Sequence, residues 1–159
     1  MQVVHSKKLA VAVVLSLSLG AYATVGAQES PKGAVTLTPA QLVWKPSPRV
    51  LGLEVADMVG DSTKGPYIQR VKFPPNFTIQ GHSHPEDRTY TIISGTWYIG
   101  YGDKFDAAKL IALPPGSFYT EPAGVPHFVA TKGEAVVFQV SGTGATAVRY
   151  IDPADAPKK

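Results

Sequence analysis

The sequence contains no cysteine. No disulfide can staple the chain, and no thiolate is available as nucleophile or metal ligand, so a bound ion would have to be held by imidazole, carboxylate or backbone oxygen. Histidine is scarce too, with four among 159 residues: His5, His82, His84 and His127. Sustained helical periodicity is missing: beyond residue 27 no stretch keeps a 3.6-residue apolar repeat for three turns, and only 105–109 could form one. Charge is sparse, at 17% of residues with a formal net of +3. This excludes the dense basic patches of nucleic-acid binders. There is one long uncharged apolar run, Leu9 to Leu19, and it lies at the N-terminus.

That run follows Lys7 and Lys8 and precedes Val25-Gly26-Ala27. A basic start, a short apolar segment and small residues before the cut describe a secretory signal peptide over residues 1–27. A retained membrane anchor is the alternative, but the run is too short to span a bilayer comfortably. Removing 27 of the 159 residues leaves 132, enough for one domain with one core. Lys7 and Lys8 leave with the leader and no acid does, so the formal charge drops to +1. Neither nucleic acid nor an anionic membrane is implied as partner, and the expected location is the periplasm or the exterior.

After the leader, residues 28–48 read as an irregular arm broken by Pro39, Pro46 and Pro48, in which 35–37 and 41–44 could form short strands. Trp44 is expected to pack against the domain. Residues 49–152 then give short runs rich in valine, isoleucine, threonine and aromatics, separated by glycine and proline: 50–57, 67–73, 77–84, 89–94, 96–101, 109–113, 117–120, 127–130, 135–140 and 147–151. Residues 60–66 form a loop on composition, and Ser94-Gly95 reads as a hairpin turn. In 67–73 one face carries Tyr67, Gln69, Val71 and Phe73 and the other Ile68, Arg70 and Lys72. The pattern is all-β, a sandwich or barrel, with a solvated tail at 153–159. Trp97, Phe118, Phe128 and Phe138 are expected in the core.

His82 and His84 are one residue apart on such a run, so their side chains share a face. His127 follows in Pro122-Ala123-Gly124-Val125-Pro126-His127. Two motifs surround these residues. In the first, Asn76, His82, His84, Arg88 and Gly95 occupy the positions of Gly, five residues, His-x-His, three residues, Glu, six residues, Gly. In the second, Gly116, Pro122, Gly124, His127 and Thr131 occupy Gly, five residues, Pro-x-Gly, two residues, His, three residues, Asn. Over about residues 67–150 the sequence thereby resembles the cupin superfamily. The resemblance implies a double-stranded β-helix (jelly-roll) barrel with a site at its mouth, pairing as a homodimer, and a divalent transition metal (Fe, Mn, Zn, Ni or Cu) on His82, His84 and His127. A histidine cluster that has lost its metal is the alternative.

The sequence departs from the motif where a ligand glutamate is expected, because Arg88 stands there. Arg88 either turns outward, to solvent or to Glu86 or Asp87, or clamps an anionic ligand beside the ion. Glu86 is expected on a solvated loop, with an inward role as the alternative, since it shares parity with the two histidines. Tyr90 shares that parity and is a candidate hydrogen-bond donor. Tyr90 and Glu86 are the catalytic candidates, and Arg88 and Gln69 the substrate-binding ones. The resemblance leaves dioxygenation, isomerisation, lyase chemistry and decarboxylation open on a small, oxygen-bearing or anionic molecule. A non-catalytic module that captures a small ligand or metal, and a structural domain that dimerises through its outer sheet, are the rivals.

Overall fold

A computed structural model of the protein describes residues 31–157, and the expected leader lies outside the described residues. Among those residues run eleven strands: β1 (Lys45–Pro46), β2 (Glu54–Gly60), β3 (Tyr67–Phe73), β4 (Thr78–Ser83), β5 (Arg88–Ser94), β6 (Trp97–Tyr101), β7 (Ile111–Leu113), β8 (Phe118–Glu121), β9 (His127–Ala130), β10 (Val136–Gly142) and β11 (Arg149–Tyr150). Three single 3-10 turns, Pro39–Gln41, Ala107–Lys109 and Pro153–Asp155, are the helical content. No helix of the described residues is long and apolar enough to cross a membrane.

The strands form two antiparallel sheets, one of six in the order β1-β2-β3-β10-β5-β8 and one of five in the order β11-β4-β9-β6-β7. This is the jelly-roll architecture expected from the short alternating runs. Alternation does the work locally: Tyr67, Gln69, Val71 and Phe73 of β3 are buried, while Ile68, Arg70 and Lys72 lie on the wetter face. The core fills the space between the sheets. Phe73 meets Trp97 of the opposite sheet edge-on at 4.7 Å between ring centroids and tilts against Phe138 at 5.6 Å. The Trp97 indole N–H, which would be costly to bury alone, donates to the Tyr119 hydroxyl at 2.9 Å.

Turns follow their residues. Gly95 turns β5 into β6 with φ +71, where an added Cβ would lie 2.3 Å from the Ala135 carbonyl oxygen. Asn76, at the motif's first glycine position, is in the left-handed region at φ 55, which asparagine tolerates better than most residues. Thr131, at the motif's asparagine position, ties the same turn: its hydroxyl donates to the Pro74 carbonyl at 2.6 Å and accepts from the Phe77 N–H at 2.9 Å.

The structure corrects three local expectations. The strand expected at 50–57 begins only at Glu54, because Ser47 to Leu53 folds into a turn. There the Ser47 N–H donates to the Leu53 carbonyl at 2.8 Å, and the Ser47 hydroxyl accepts from the Arg49 and Val50 N–H groups. Val50 and Leu53 are still buried, which explains why the stretch looked strand-like. Residues 35–37 and 41–44 keep to the irregular arm, the alternative to short strands, which runs to β1 as expected. Phe118 is not core but 64% exposed, since its parity on β8 is opposite to that of Tyr119. Phe128 is buried, but it packs with Phe105 and over Gly100 rather than among the residues between the sheets.

Candidate metal centre

His82, at the end of β4, lies directly opposite His127 of β9, and His84 follows just past the strand. The three rings converge, with centroids 4.3, 5.0 and 5.1 Å apart, and all three residues are buried. Each Nδ1 faces a backbone carbonyl: Gln80 at 2.7 Å, Ala147 at 2.7 Å and Val125 at 3.0 Å for His82, His84 and His127. A carbonyl can only accept, so each Nδ1 carries the proton and donates. Each Nε2 is left with its lone pair. One ligand atom from each residue lies within 4.8 Å of the others. Burial holds the imidazoles neutral: His82 and His127 are lowered to about 4, and His84, beside Arg88 as well, is lowered further.

Glu121, the last residue of β8, closes the locus from the other sheet. Its Oε1 lies 3.3 Å from His127 Nε2 and its Oε2 3.4 Å from His84 Nε2. The carboxylate is 2% exposed, and burial raises its pKa against the lowering effect of the Tyr90 hydroxyl, which donates to Oε2. Lone pairs thus face a carboxylate at contact distance, and His127 Nε2 is buried without a hydrogen-bond partner. A cation among these atoms would satisfy all of them at once. Three imidazoles with an adjacent carboxylate is a donor set suited to a divalent transition ion. The residues present fit the metal that the motifs imply.

Glu121 was not legible as a site residue from the sequence, where the run 117–120 was read to end at Thr120. The cross-strand register explains its place: Arg88 of β5 pairs directly with Glu121 of β8. The carboxylate that Arg88 displaces from its own strand comes from the neighbouring one. The usable signal was its parity with Tyr119, which makes Glu121 the acid that alternation turns inward.

Arg88 does not turn out to solvent. It points inward, and its guanidinium donates to Glu86 Oε1 at 2.8 Å, to the Tyr90 hydroxyl at 3.3 Å and to the Thr146 hydroxyl. Glu86 is buried rather than solvated, and its Oε1 also accepts from the Tyr67 hydroxyl at 3.1 Å. A chain of groups therefore runs Glu121–Tyr90–Arg88–Glu86–Tyr67 away from the histidines. Gln69 is buried apart from that chain, donating to Asp57 and to the Ser62 hydroxyl. A cavity of about 90 Å³ joins these groups, with His82, His84, Arg88, Tyr90, Gln69 and Glu121 in its wall. That is room for several waters or a small ligand.

Comparison with protein-family models and with curated proteins finds no match for the sequence. Solved structures do match. The polyketide cyclase RemF from Streptomyces resistomycificus superposes with a TM-score of 0.64 at 16% identity, over 77% of this chain and 88% of that one. The chain has the cupin fold. An RmlC-like cupin from Ralstonia eutropha matches this chain with a TM-score of 0.58 at 20% identity, over 78% of this chain and 76% of that one. The DMSP lyase DddQ from Ruegeria pomeroyi gives 0.52 at 18% identity, over 70% and 67%. At such identities the likeness establishes the fold and leaves the chemistry to the site.

Proposed function

We propose that this cupin is an exported metal-dependent enzyme. In this reading it holds a divalent transition ion through His82, His84 and His127, with Glu121 beside them, and carries out lyase- or isomerase-type acid–base chemistry on a small organic molecule. The observation that carries the reading is the buried, unpartnered His127 Nε2, which with His84 Nε2 faces the Glu121 carboxylate. The bound ion would supply Lewis acidity towards a substrate oxygen.

The protein's own groups support proton transfer. Glu121 is the base: burial moves its proton affinity towards neutrality, where a general base works best. Tyr90 is a neutral hydrogen-bond donor: burial and the neighbouring Glu121 charge hold its hydroxyl proton in place, and it donates to Glu121 Oε2. Arg88 opposes both effects and balances charge as Glu121 takes up a substrate proton and returns it. Glu86 positions Arg88 rather than meeting substrate. The solved structures support a small-molecule enzyme at the level of fold, since a polyketide cyclase and a DMSP lyase are among them.

The test is elemental analysis of the protein purified without a histidine tag after export, beside the His82→Ala/His127→Ala double variant. About one equivalent of metal, lost in the double variant, is the expected result. A protein that refuses Zn, Mn, Fe, Ni and Cu alike would refute the reading. Processing after Ala27, read by N-terminal sequencing, tests export, and sedimentation tests the homodimer that the resemblance implies. Arg88 at the motif's carboxylate position favours a second reading, a non-catalytic capture module. Tight metal binding without turnover would select it.

A further inference from the structure

The cavity wall holds a second arginine that the proposed chemistry leaves unused. Arg49 lies on the turn from Ser47 to Leu53, and it lines the same cavity as His82, His84, Arg88 and Glu121. The turn is built to hold it. The Ser47 hydroxyl accepts from the Arg49 and Val50 N–H groups at 3.3 and 3.2 Å, and the buried side chains of Val50 and Leu53 anchor the turn after Arg49.

The partners of Arg49 are neutral. Its Nη2 donates to the Ser62 carbonyl at 3.4 Å and to the Ser62 hydroxyl at 3.1 Å, and among the described residues it forms no ion pair. The two acids nearby are engaged elsewhere, Asp57 with Lys45 and Asp61 with Lys64. Arg88, by contrast, is matched by Glu86. A partly buried guanidinium with no counter-charge, facing a cavity, is an incomplete ion pair.

The charge count agrees. Arg49, Arg88 and Glu121 line the cavity and Glu86 lies behind Arg88, so with both acids ionised these charges cancel, and each imidazole keeps its Nε2 lone pair because its Nδ1 donates to a carbonyl. A divalent ion at the histidines would leave two positive charges uncompensated in a low-dielectric space, which an anionic ligand relieves. Beside polar Ser47, Gln69 and Thr146, the wall carries an apolar patch that includes Val55, Val71, Phe138 and Val140.

We infer that Arg49 is the anion-binding residue of the cavity, and that the ligand is a small organic acid. Its carboxylate pairs with Arg49, its hydrocarbon body lies against the valines and Phe138, and its opposite end faces the histidines. The fork of the guanidinium matches a carboxylate bidentately. The inference rests on the metal-centre reading for the site's net charge, but the role of Arg49 can be tested separately.

The experiment titrates acetate, propionate and benzoate, and the matching uncharged amides, into zinc-treated protein by calorimetry, with the zinc content measured in each sample. At least one acid should bind, at least tenfold more tightly than its amide. Arg49→Gln should weaken that acid tenfold to a hundredfold and erase the preference without changing zinc content, while Arg49→Lys should restore part of it. Binding that Arg49→Gln leaves unaltered, equal binding of acid and amide, or no binding by any of the three acids would each overturn the inference. If benzoate binds through Arg49 while zinc does not load, the metal reading fails and the arginine inference stands. If zinc loads and Arg49→Gln changes nothing, the arginine inference alone fails.

Discussion

Replacing Glu121 by glutamine should move two properties in opposite directions. Without metal, the carboxylate faces bare imidazole lone pairs 3.3 and 3.4 Å away in a buried site, an arrangement in which acceptors oppose acceptors. The amide keeps an oxygen at the Oε2 position for the Tyr90 hydroxyl and offers an N–H from the Oε1 position to His127. One new buried hydrogen bond contributes about 0.5–1.5 kcal/mol. The metal-free variant should therefore melt higher than wild type, by roughly 2–6 °C for each kcal/mol gained in a domain of this size. With metal the sign reverses, because a partner of this kind typically changes metal affinity by about 10–100-fold. At a metal concentration a hundred times the wild-type Kd, the stabilisation from binding should drop from about 2.7 kcal/mol to about 0.4–1.4 kcal/mol. Thermal unfolding followed by circular dichroism, with chelator and then with zinc, reads both numbers. A variant that melts lower without metal and gains as much from zinc as wild type would show that Glu121 serves only as an acceptor, for the Tyr90 hydroxyl at Oε2 and the Tyr119 hydroxyl 3.4 Å from Oε1.

Other perturbations test the surrounding groups. Arg88→Met should destabilise by about 3–5 kcal/mol because it strands the buried Glu86 charge, and adding Glu86→Gln should recover most of that loss in urea titrations; additive losses would refute the pairing. Burial holds His82 and His127 at about 4 against an ordinary 6.5, so unfolded chains take up protons as pH falls through that window while folded ones do not. Stability of the metal-free protein should be complete above about pH 6.5 and fall towards pH 4, by roughly 3 kcal/mol for each of the two histidines. His84 acts in the same direction and Glu121, with its raised pKa, against it; a flat pH profile of chelator-treated protein would contradict the assigned burial. Gly142→Ala would set a Cβ 2.2 Å from Tyr67 Cε1, pushing away the ring whose hydroxyl holds Glu86, and should cost about 1–3 kcal/mol by urea unfolding. Thr131→Val removes a donor to Pro74 and an acceptor from Phe77, and should lower the urea midpoint by an equivalent of about 1–3 kcal/mol.

What the sequence disclosed depended on whether the relevant geometry was local. His82 and His84 share a face through alternation alone, and His127 came into view because its motif has fixed internal spacing. The faces of β3 were readable for the same reason. Glu121 was not, because its role depends on which strand neighbours β5, and pairing between strands about thirty residues apart leaves no local trace. The same register decided Arg88: opposite a strand-end glutamate and beside Glu86, the guanidinium has reasons to stay inside that no single-strand pattern contains. Phe118 was misjudged because hydrophobicity was weighed before parity, although Tyr119 next to it could only take the inner face. The turn from Ser47 to Leu53 was hidden by the burial of Val50 and Leu53, which gives a folded loop the apolar signature of a strand.

The locus draws its histidines from one sheet and its glutamate from the other: β4 and β9 belong to the five-stranded layer, β8 to the six-stranded one. An ion held there is a rivet through both layers of a chain that has no cysteine to cross-link them. Its departure would free the layers to part at that end of the barrel, so metal occupancy would set how often the backbone opens to exchange and to proteases as well as what the site can bind. Loss of the ion would then become a timer on the protein's own survival.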